Sequence, residues 1–139
     1  MTLDDIIETF EFLDDWDDRF AYLIELGKKL PGLPDDAKTE ANKVHGCTSQ
    51  VWMVSHVQPG NPPCVAFEAD SDAFIVRGLI AILMAAYSGQ TARHILDTDI
   101  GAVFERLSLG QHLSANRQNG FFAMTSRIKA HAREALEAA

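Results

Sequence analysis

The chain has 139 residues, of which 47% are hydrophobic and 23% charged, a balance typical of one globular domain with a substantial core. Its formal net charge of −8 would repel a phosphate backbone, so nucleic acid is excluded as an expected partner. The longest apolar run, residues 79–87, is about half of the ~20 residues that a membrane-spanning helix needs.

The cysteine content and the N-terminal residues indicate the compartment. Two cysteines are too few for a disulfide framework, and the first ten residues, MTLDDIIETF, are acidic where a signal peptide would be basic. We therefore expect a cytoplasmic protein with free thiols, no membrane attachment and a single domain over residues 1–139.

Two helices are predicted at the start of the chain. The first begins behind Thr2, whose hydroxyl can cap it while Asp5 stands three residues on. The second begins at Asp14 or Asp15 and is predicted to end at Gly27, a favourable C-terminal cap. Apolar residues recur at helical spacing in both segments, as in Leu3, Ile6, Ile7, Phe10 and Leu13.

The middle of the chain is strand-like. Residues 51–57 alternate, with Val51, Met53 and Val57 on one side, and residues 64–70 alternate likewise after the turn sequence QPGNPP. Because two strands alone would be marginally stable, we expect a short first strand near residues 42–44. These segments predict a small three-stranded antiparallel sheet.

Helices are predicted to follow the sheet. DSD, residues 70–72, offers caps for a long helix over about 73–88, which closes at Gly89. Shorter helices are expected after Thr91 and from about Asp99, and Ser114 opens the region that leads to the last helix. The chain is therefore predicted to be an α+β protein with several helices packed on the sheet.

One cysteine occupies an unusual position in the bend HGCTSQ, residues 45–50. Gly46 permits a positive φ, which would present Cys47 at a tight turn. Hydroxyl, amide and backbone donors at residues 48–50 would lower the pKa of a thiol that they contact, and so favour the reactive thiolate. The alternative, that Cys47 merely fills a small hole, remains open on these residues alone.

The rest of the sequence does not complete a familiar cysteine site. If residues 51–57 and 64–70 form a hairpin, Cys64 lies at its opposite end from Cys47, on the order of 30 Å away, beyond disulfide reach. His45 is the nearest candidate for a Cys–His pair, but no hydrolase signature accompanies it. Metal-ligand spacings such as CxxC are also missing, so neither a metal nor a cofactor is expected.

Four segments carry a family resemblance through their order and spacing. They are YLIELGKKLPGL (22–33), NKVHGCTSQVW (42–52), ADSDAFIVRGLIA (69–81) and LGQHLSANRQNG (109–120). Together they resemble the SufE family, including its CsdE-like members, the sulfur-acceptor proteins that work with cysteine desulfurases. Cys64 departs from the family pattern and leaves the matched positions unaffected.

The resemblance implies a SufE/IscU-like fold and a cytoplasmic role in iron–sulfur cluster assembly. A pyridoxal-phosphate cysteine desulfurase of the SufS or CsdA kind would supply persulfide sulfur, and a SufB-type scaffold complex would receive it. Such a protein is an accessory that activates the desulfurase rather than an enzyme with its own small-molecule turnover. Two alternatives are an IscU-like scaffold for a nascent cluster and a non-catalytic interaction module.

The resemblance also implies roles for individual residues. Cys47 matches the persulfide acceptor, Arg117 matches a position implicated in the encounter with the desulfurase, and Asp72 matches one thought to influence how the cysteine loop is held. On the residues alone, Asp72 is equally a helix cap and Arg117 an exposed arginine in a loop before the last helix. Because a persulfide needs protection from reductants, we hypothesise that Cys47 rests partly covered and swings out about Gly46.

Overall fold

The computed structural model describes residues 2–47 and 49–138, which form an α+β fold. The elements in chain order are α1 (Leu3–Phe12), α2 (Trp16–Lys29), β1 (Val51–Gln58), β2 (Cys64–Ser71), α3 (Phe74–Tyr87), β3 (Gln90–Thr91), α4 (Ala92–Asp97), α5 (Ile100–Arg106) and α6 (Ala115–Ala138). Short 3-10 turns cover Asp35–Ala37 and Leu109–Gln111. The predicted fold class is confirmed.

The sheet has three antiparallel strands in the order β1, β2, β3, but its third strand is not the predicted one. Residues 42–44 contribute only a single bridge, between Lys43 and Trp52, because turns on both sides prevent a longer ladder. Gln90–Thr91 pairs with the start of β2 instead. Val51 and Met53 are buried, whereas Val57, predicted on the same side, is 49% exposed because β1 runs beyond the core at that end.

Local sequence explains how the first two helices begin. Thr2 and Asp5 form the predicted capping box, in which each side chain accepts a hydrogen bond from the other's backbone N–H. Asp15 caps α2 by accepting from the N–H of Asp17 at 2.9 Å. These two predictions are confirmed.

The prediction that α2 ends at Gly27 is wrong. Gly27 lies inside the helix and permits close packing on α3. A Cβ on Gly27 would lie 2.7 Å from the carbonyl oxygen of Phe74, and one on Gly78 would overlap the carbonyl oxygen of Leu23. The two helix backbones therefore approach each other where both lack a side chain. The helix continues to Lys29, and Leu30 is its C-terminal cap residue.

Helix α3 is the central helix, as its apolar sequence predicts. It ends at Tyr87, and Gly89 follows in a left-handed conformation with φ +79°. Its buried side chains pack among α1, α2, α6 and β2, and they include Leu79, Ile80, Ile82, Leu83 and Tyr87. Helix α6 packs against α3, α4 and β2 with its predicted apolar face, Phe121, Met124, Ile128, Ala132 and Ala135.

A buried carboxylate ties several segments together. Asp70, 5% exposed, accepts hydrogen bonds from the backbone N–H groups of Leu33 and Ser71 and pairs with Arg77 and Lys38. Burial disfavours its charged form, but these donors and cations outweigh that effect and lower its pKa. Arg77 also donates to the carbonyls of Gly27 and Leu30, at 2.9 and 2.7 Å. The end of α2 is thereby fixed to β2 and α3.

Within residues 2–47 and 49–138, the helices lack the combination of length and apolar sequence that a membrane crossing requires.

Candidate functional site

Cys47 lies in the bend between Lys43, which forms a bridge with Trp52, and the start of β1. We call residues 44–50 the Cys47 loop. Gly46 has φ +94°, a conformation that favours glycine, and a Cβ there would lie 3.2 Å from the Cβ of Ala123 on α6. The predicted positive φ at Gly46 is therefore present, and it places the loop directly against α6.

The thiol of Cys47 points to helix α6 and is partly buried. Its Sγ donates to the carbonyl oxygen of Gly120 at a separation of 3.6 Å. A Cβ on Gly120 would lie 3.3 Å from that sulfur, so the absent side chain leaves room for the cysteine. The sulfur borders a cavity of about 20 Å³ lined by Ser49, Val76, Leu79, Asn116, Arg117, Gly120, Phe121 and Met124.

The electrostatics of the thiol differ from the sequence prediction. Burial raises the pKa of Cys47, whereas nearby donors were expected to lower it. The N–H of Gln50 is engaged by Asp72, and Thr48 lies outside the described residues. In this position the sulfur is a protonated and poorly nucleophilic group.

Asp72 holds the C-terminal end of the Cys47 loop and does not cap α3. Its Oδ1 accepts from the N–H of Gln50 at 3.1 Å, and its own N–H donates to the carbonyl oxygen of Gln50 at 3.4 Å. The N-cap residue of α3 is Ala73, which has no side-chain cap. The capping interpretation is wrong, because a loop 22 positions away competes for the carboxylate.

Arg117 lies in the first turn of α6, not in a loop before it. The side chain of Ser114 accepts from the Arg117 N–H at 3.3 Å, so this serine starts the helix. The exposed guanidinium-bearing side chain borders the same cavity as Cys47. The structure thus brings together Cys47, Gly46 and Arg117, with Asp72 at the base of the loop.

A further arginine, not predicted from the sequence, contacts the chain before the loop. Arg127 of α6 donates to the carbonyl oxygens of Ala41 and Lys43, at 3.0 and 3.2 Å. The helical spacing from Ala123 to Arg127 places both on the side of α6 that faces this segment. The sequence shows this spacing, but the spacing indicates a contact with the loop only once residues 41–46 are known to pack on that side of α6.

The other candidate groups lie away from the thiol or have other partners. Cys64 is at the opposite end of the hairpin, paired with Gln58 and Thr91, and both cysteines are free, as predicted. His45 is exposed, with its Nε2 3.5 Å from a carboxylate oxygen of Glu40. Within the described part of the chain, histidine, cysteine and acidic residues form no group of three or more suited to a metal ion.

Known proteins are similar to this chain over nearly its whole length. Residues 4–132 match the SufE family model, described as an Fe-S metabolism associated domain. An uncharacterized SufE-like protein of Rhizobium etli is 50% identical over 134 residues, covering 95% of this chain and 90% of the relative. One from Rhizobium meliloti is 48% identical over 138 residues, covering 99% of both.

A solved structure shares the fold at low sequence identity. The solution structure of a hypothetical protein from Thermus thermophilus matches with a TM-score of 0.74 and 22% identity, over 99% of each chain.

Proposed function

The chain belongs to the SufE family, and we propose that its Cys47 accepts persulfide sulfur from a pyridoxal-phosphate cysteine desulfurase of the SufS or CsdA kind. Family membership supports a sulfur-transfer role in iron–sulfur metabolism. In our proposal the protein acts in the cytoplasm, stimulates the desulfurase and passes the sulfur to a SufB-type scaffold complex. It is an accessory carrier without small-molecule turnover of its own.

The transfer is a thiol exchange in which atoms and electrons balance. The Cys47 thiolate attacks the outer sulfur of the donor persulfide, the donor's S–S bond breaks, and the donor cysteine leaves as a thiolate. The proton lost by Cys47 balances the one that the departing thiolate can take up. One sulfane sulfur changes carrier, and no external oxidant or reductant is consumed.

The observation that carries this proposal is the placement of Cys47. Burial raises the pKa of its thiol, and Gly120 covers the sulfur, so the resting side chain is poorly placed to attack another protein's persulfide. Gly46, at φ +94°, lies next to it as a turn about which the side chain can be presented. We propose that docking on the desulfurase draws Cys47 out of the cavity, where the thiolate forms more readily.

The cavity suits the product as well as the resting thiol. Its volume of about 20 Å³ exceeds the ~10–15 Å³ needed to hold one water-sized probe, so it admits roughly one additional atom. The lining is mainly apolar, with Val76, Leu79 and Met124 among its residues. A sulfane sulfur withdrawn there would be shielded from dissolved reductants.

Arg117 and Asp72 have distinct parts in the proposal. Arg117 borders the cavity and is exposed, so it can contact a desulfurase that approaches the loop. Asp72 retains the Gln50 end of the loop through backbone hydrogen bonds. Substitution of Arg117 is expected to weaken stimulation of the desulfurase, and substitution of Asp72 to alter the exposure of Cys47.

Intact mass measurement tests the carrier proposal directly. After incubation with a SufS-type desulfurase and L-cysteine, the protein should gain about 32 Da, one sulfur atom, and lose it on treatment with a reductant. Cys47→Ser should abolish the gain while retaining binding to the desulfurase, and Cys64→Ser should preserve it. An unchanged mass for the wild type, or a gain that survives in Cys47→Ser, would overturn the proposal.

A further inference from the structure

The side chain of Arg127 attaches the chain entering the Cys47 loop to α6. The guanidinium of Arg127 donates to two backbone carbonyls, those of Ala41 and Lys43, at 3.0 and 3.2 Å. Its Nε donates to Nε2 of His131 at 3.2 Å, one helical turn further along α6. All three nitrogens of the guanidinium are therefore engaged, and the side chain has a defined orientation.

His131 keeps Arg127 in that orientation. An Nε2 that accepts from Arg127 is unprotonated, so the neutral ring carries its proton on Nδ1, which lies 3.1 Å from the Ser55 hydroxyl oxygen on β1. Burial and the neighbouring Arg127 charge lower the pKa of His131, whereas Glu134 opposes this. The neutral ring thus links α6, β1 and Arg127.

The two ends of the Cys47 loop are secured by different elements. On the N-terminal side, the segment 41–43 is bound by Arg127 and by the backbone of β1, through Met53 N–H to Asn42 O and Val44 N–H to Val51 O, both at 2.8 Å. On the C-terminal side, Asp72 holds Gln50. The positive-φ bend at Gly46 lies between these attachments.

We infer that Arg127 is a positioning residue that fixes the N-terminal hinge of the Cys47 loop and thereby keeps the thiol in its cavity. This inference deepens the proposed function, because it concerns regulation of access to the same sulfur. With residues 41–43 anchored, motion is confined to the bend near Gly46, and Cys47 returns to the Gly120 carbonyl after each excursion. Without the Arg127 contacts, the segment before the bend is held only by its two backbone hydrogen bonds to β1, so it moves more and the thiol leaves the cavity more often.

The test measures alkylation of the two cysteines in the same molecule, without a desulfurase. Iodoacetamide is added under native conditions, and mass spectrometry of peptides follows Cys47 and Cys64 separately. Arg127→Gln should raise the rate at Cys47 by about tenfold, the factor implied by loss of a hydrogen bond from a charged donor. The rate at Cys64 should not change, because that residue lies at the other end of the hairpin.

Two further variants separate positioning from general destabilisation. Arg133→Gln, an exposed arginine on the same helix, is the matched control and should leave both rates unchanged. Arg127→Lys keeps the charge but loses the fork that spans two carbonyls, so its Cys47 rate should lie between those of wild type and Arg127→Gln. If Arg127→Gln does not fold, Arg127→Lys provides the test: its Cys47 rate should exceed that of wild type while its Cys64 rate stays unchanged.

A selective rise at Cys47 supports the inference, and any other pattern overturns it. Equal rises at both cysteines would indicate general unfolding, and unchanged rates would mean that Arg127 does not restrain the loop. Because the assay uses no desulfurase, its result is independent of whether Cys47 accepts sulfur. The mass measurement on the wild type decides that separate question.

Discussion

The sulfur of Cys47 lies 3.6 Å from the carbonyl oxygen of Gly120 and occupies space that a side chain at position 120 would restrict. The two residues are 73 positions apart in sequence. Since Gly120 lies within the long helix α6, where glycine is unfavourable by about 1 kcal/mol relative to alanine, its presence is explained by this contact rather than by helix formation.

Gly120→Ala is therefore expected to expose Cys47 without unfolding the protein. The new Cβ would lie 3.3 Å from Sγ and 3.7 Å from the Cys47 Cβ, so the cysteine must shift outward. Alkylation of Cys47 should become several-fold faster, while the gain in helix propensity offsets the crowding and the free energy of unfolding changes by less than about 1 kcal/mol. Ser126→Ala, an exposed change on α6, is the control; a slower reaction of Cys47 in Gly120→Ala would contradict the expectation.

Asp72→Ala should loosen the Cys47 loop from its other end. It removes the acceptor for the Gln50 N–H, a contact at 3.1 Å, and a net loss of about 1 kcal/mol would raise the Cys47 alkylation rate roughly fivefold. Asp72→Asn keeps an acceptor oxygen and should remain near the wild-type rate. Equal Cys47 alkylation rates in Asp72→Ala and Asp72→Asn would show that this hydrogen bond does not restrain the loop. Urea unfolding should show that Asp72→Ala loses no more than the ~1 kcal/mol of this hydrogen bond, because Asp72 does not also cap α3.

The raised pKa of the Cys47 thiol predicts a stability change at alkaline pH. Burial favours the neutral thiol in the folded protein. The stability that the buried thiol contributes is therefore complete below the unfolded thiol's pKa of about 8.5, and it disappears as pH rises through the higher pKa of the folded state. The stability of wild type relative to Cys47→Ser should therefore fall above about pH 8.5. Urea unfolding of both proteins from neutral to alkaline pH measures this difference. A difference that stays constant with pH would contradict the expectation.

Features set by neighbouring residues were predictable from the sequence. The capping box of Thr2 and Asp5, the cap at Asp15 and the alternation in β2 all follow from residues a few positions apart, which local physical chemistry determines. The lone position of Cys47 was likewise predictable, because hairpin register places Cys64 at the far end. Cys47, the central residue of the proposed site, could thus be singled out from the sequence together with the family resemblance.

Features decided by distant contacts were not predictable in the same way. Gly27 has the same sequence signature whether it caps a helix or permits close packing, and only the position of α3 distinguishes the two. Asp72 is suited to capping, yet the N–H of Gln50 takes its carboxylate. The contact of Arg127 with Lys43 spans 84 positions, and no local pattern indicates which carbonyls an arginine will reach.

The side chain of Asp70 joins the loop after α2 to β2 and α3. Asp70→Asn would leave Arg77 and Lys38 without their buried counter-charge, and loss of one partner from a buried ion pair costs about 3 kcal/mol. Because hydrogen bonds and cations outweigh burial and lower its pKa, the carboxylate stabilises the fold above the ordinary aspartate pKa of about 3.9. The stability that the Asp70 carboxylate contributes disappears as pH falls through its lowered pKa in the folded protein.

Urea unfolding across pH should show this dependence. Wild type should be more stable than Asp70→Asn at pH 7, and the two should converge as the solution is acidified below about pH 4. Asp35→Asn is the matched control, since Asp35 also pairs with Lys38, at 3.6 Å, but is fully exposed, and its loss should leave stability nearly unchanged. Equal effects of the two substitutions at pH 7 would show that burial does not strengthen the Asp70 interactions. A difference between wild type and Asp70→Asn that persists undiminished at low pH would show instead that the substitution acts through packing rather than charge.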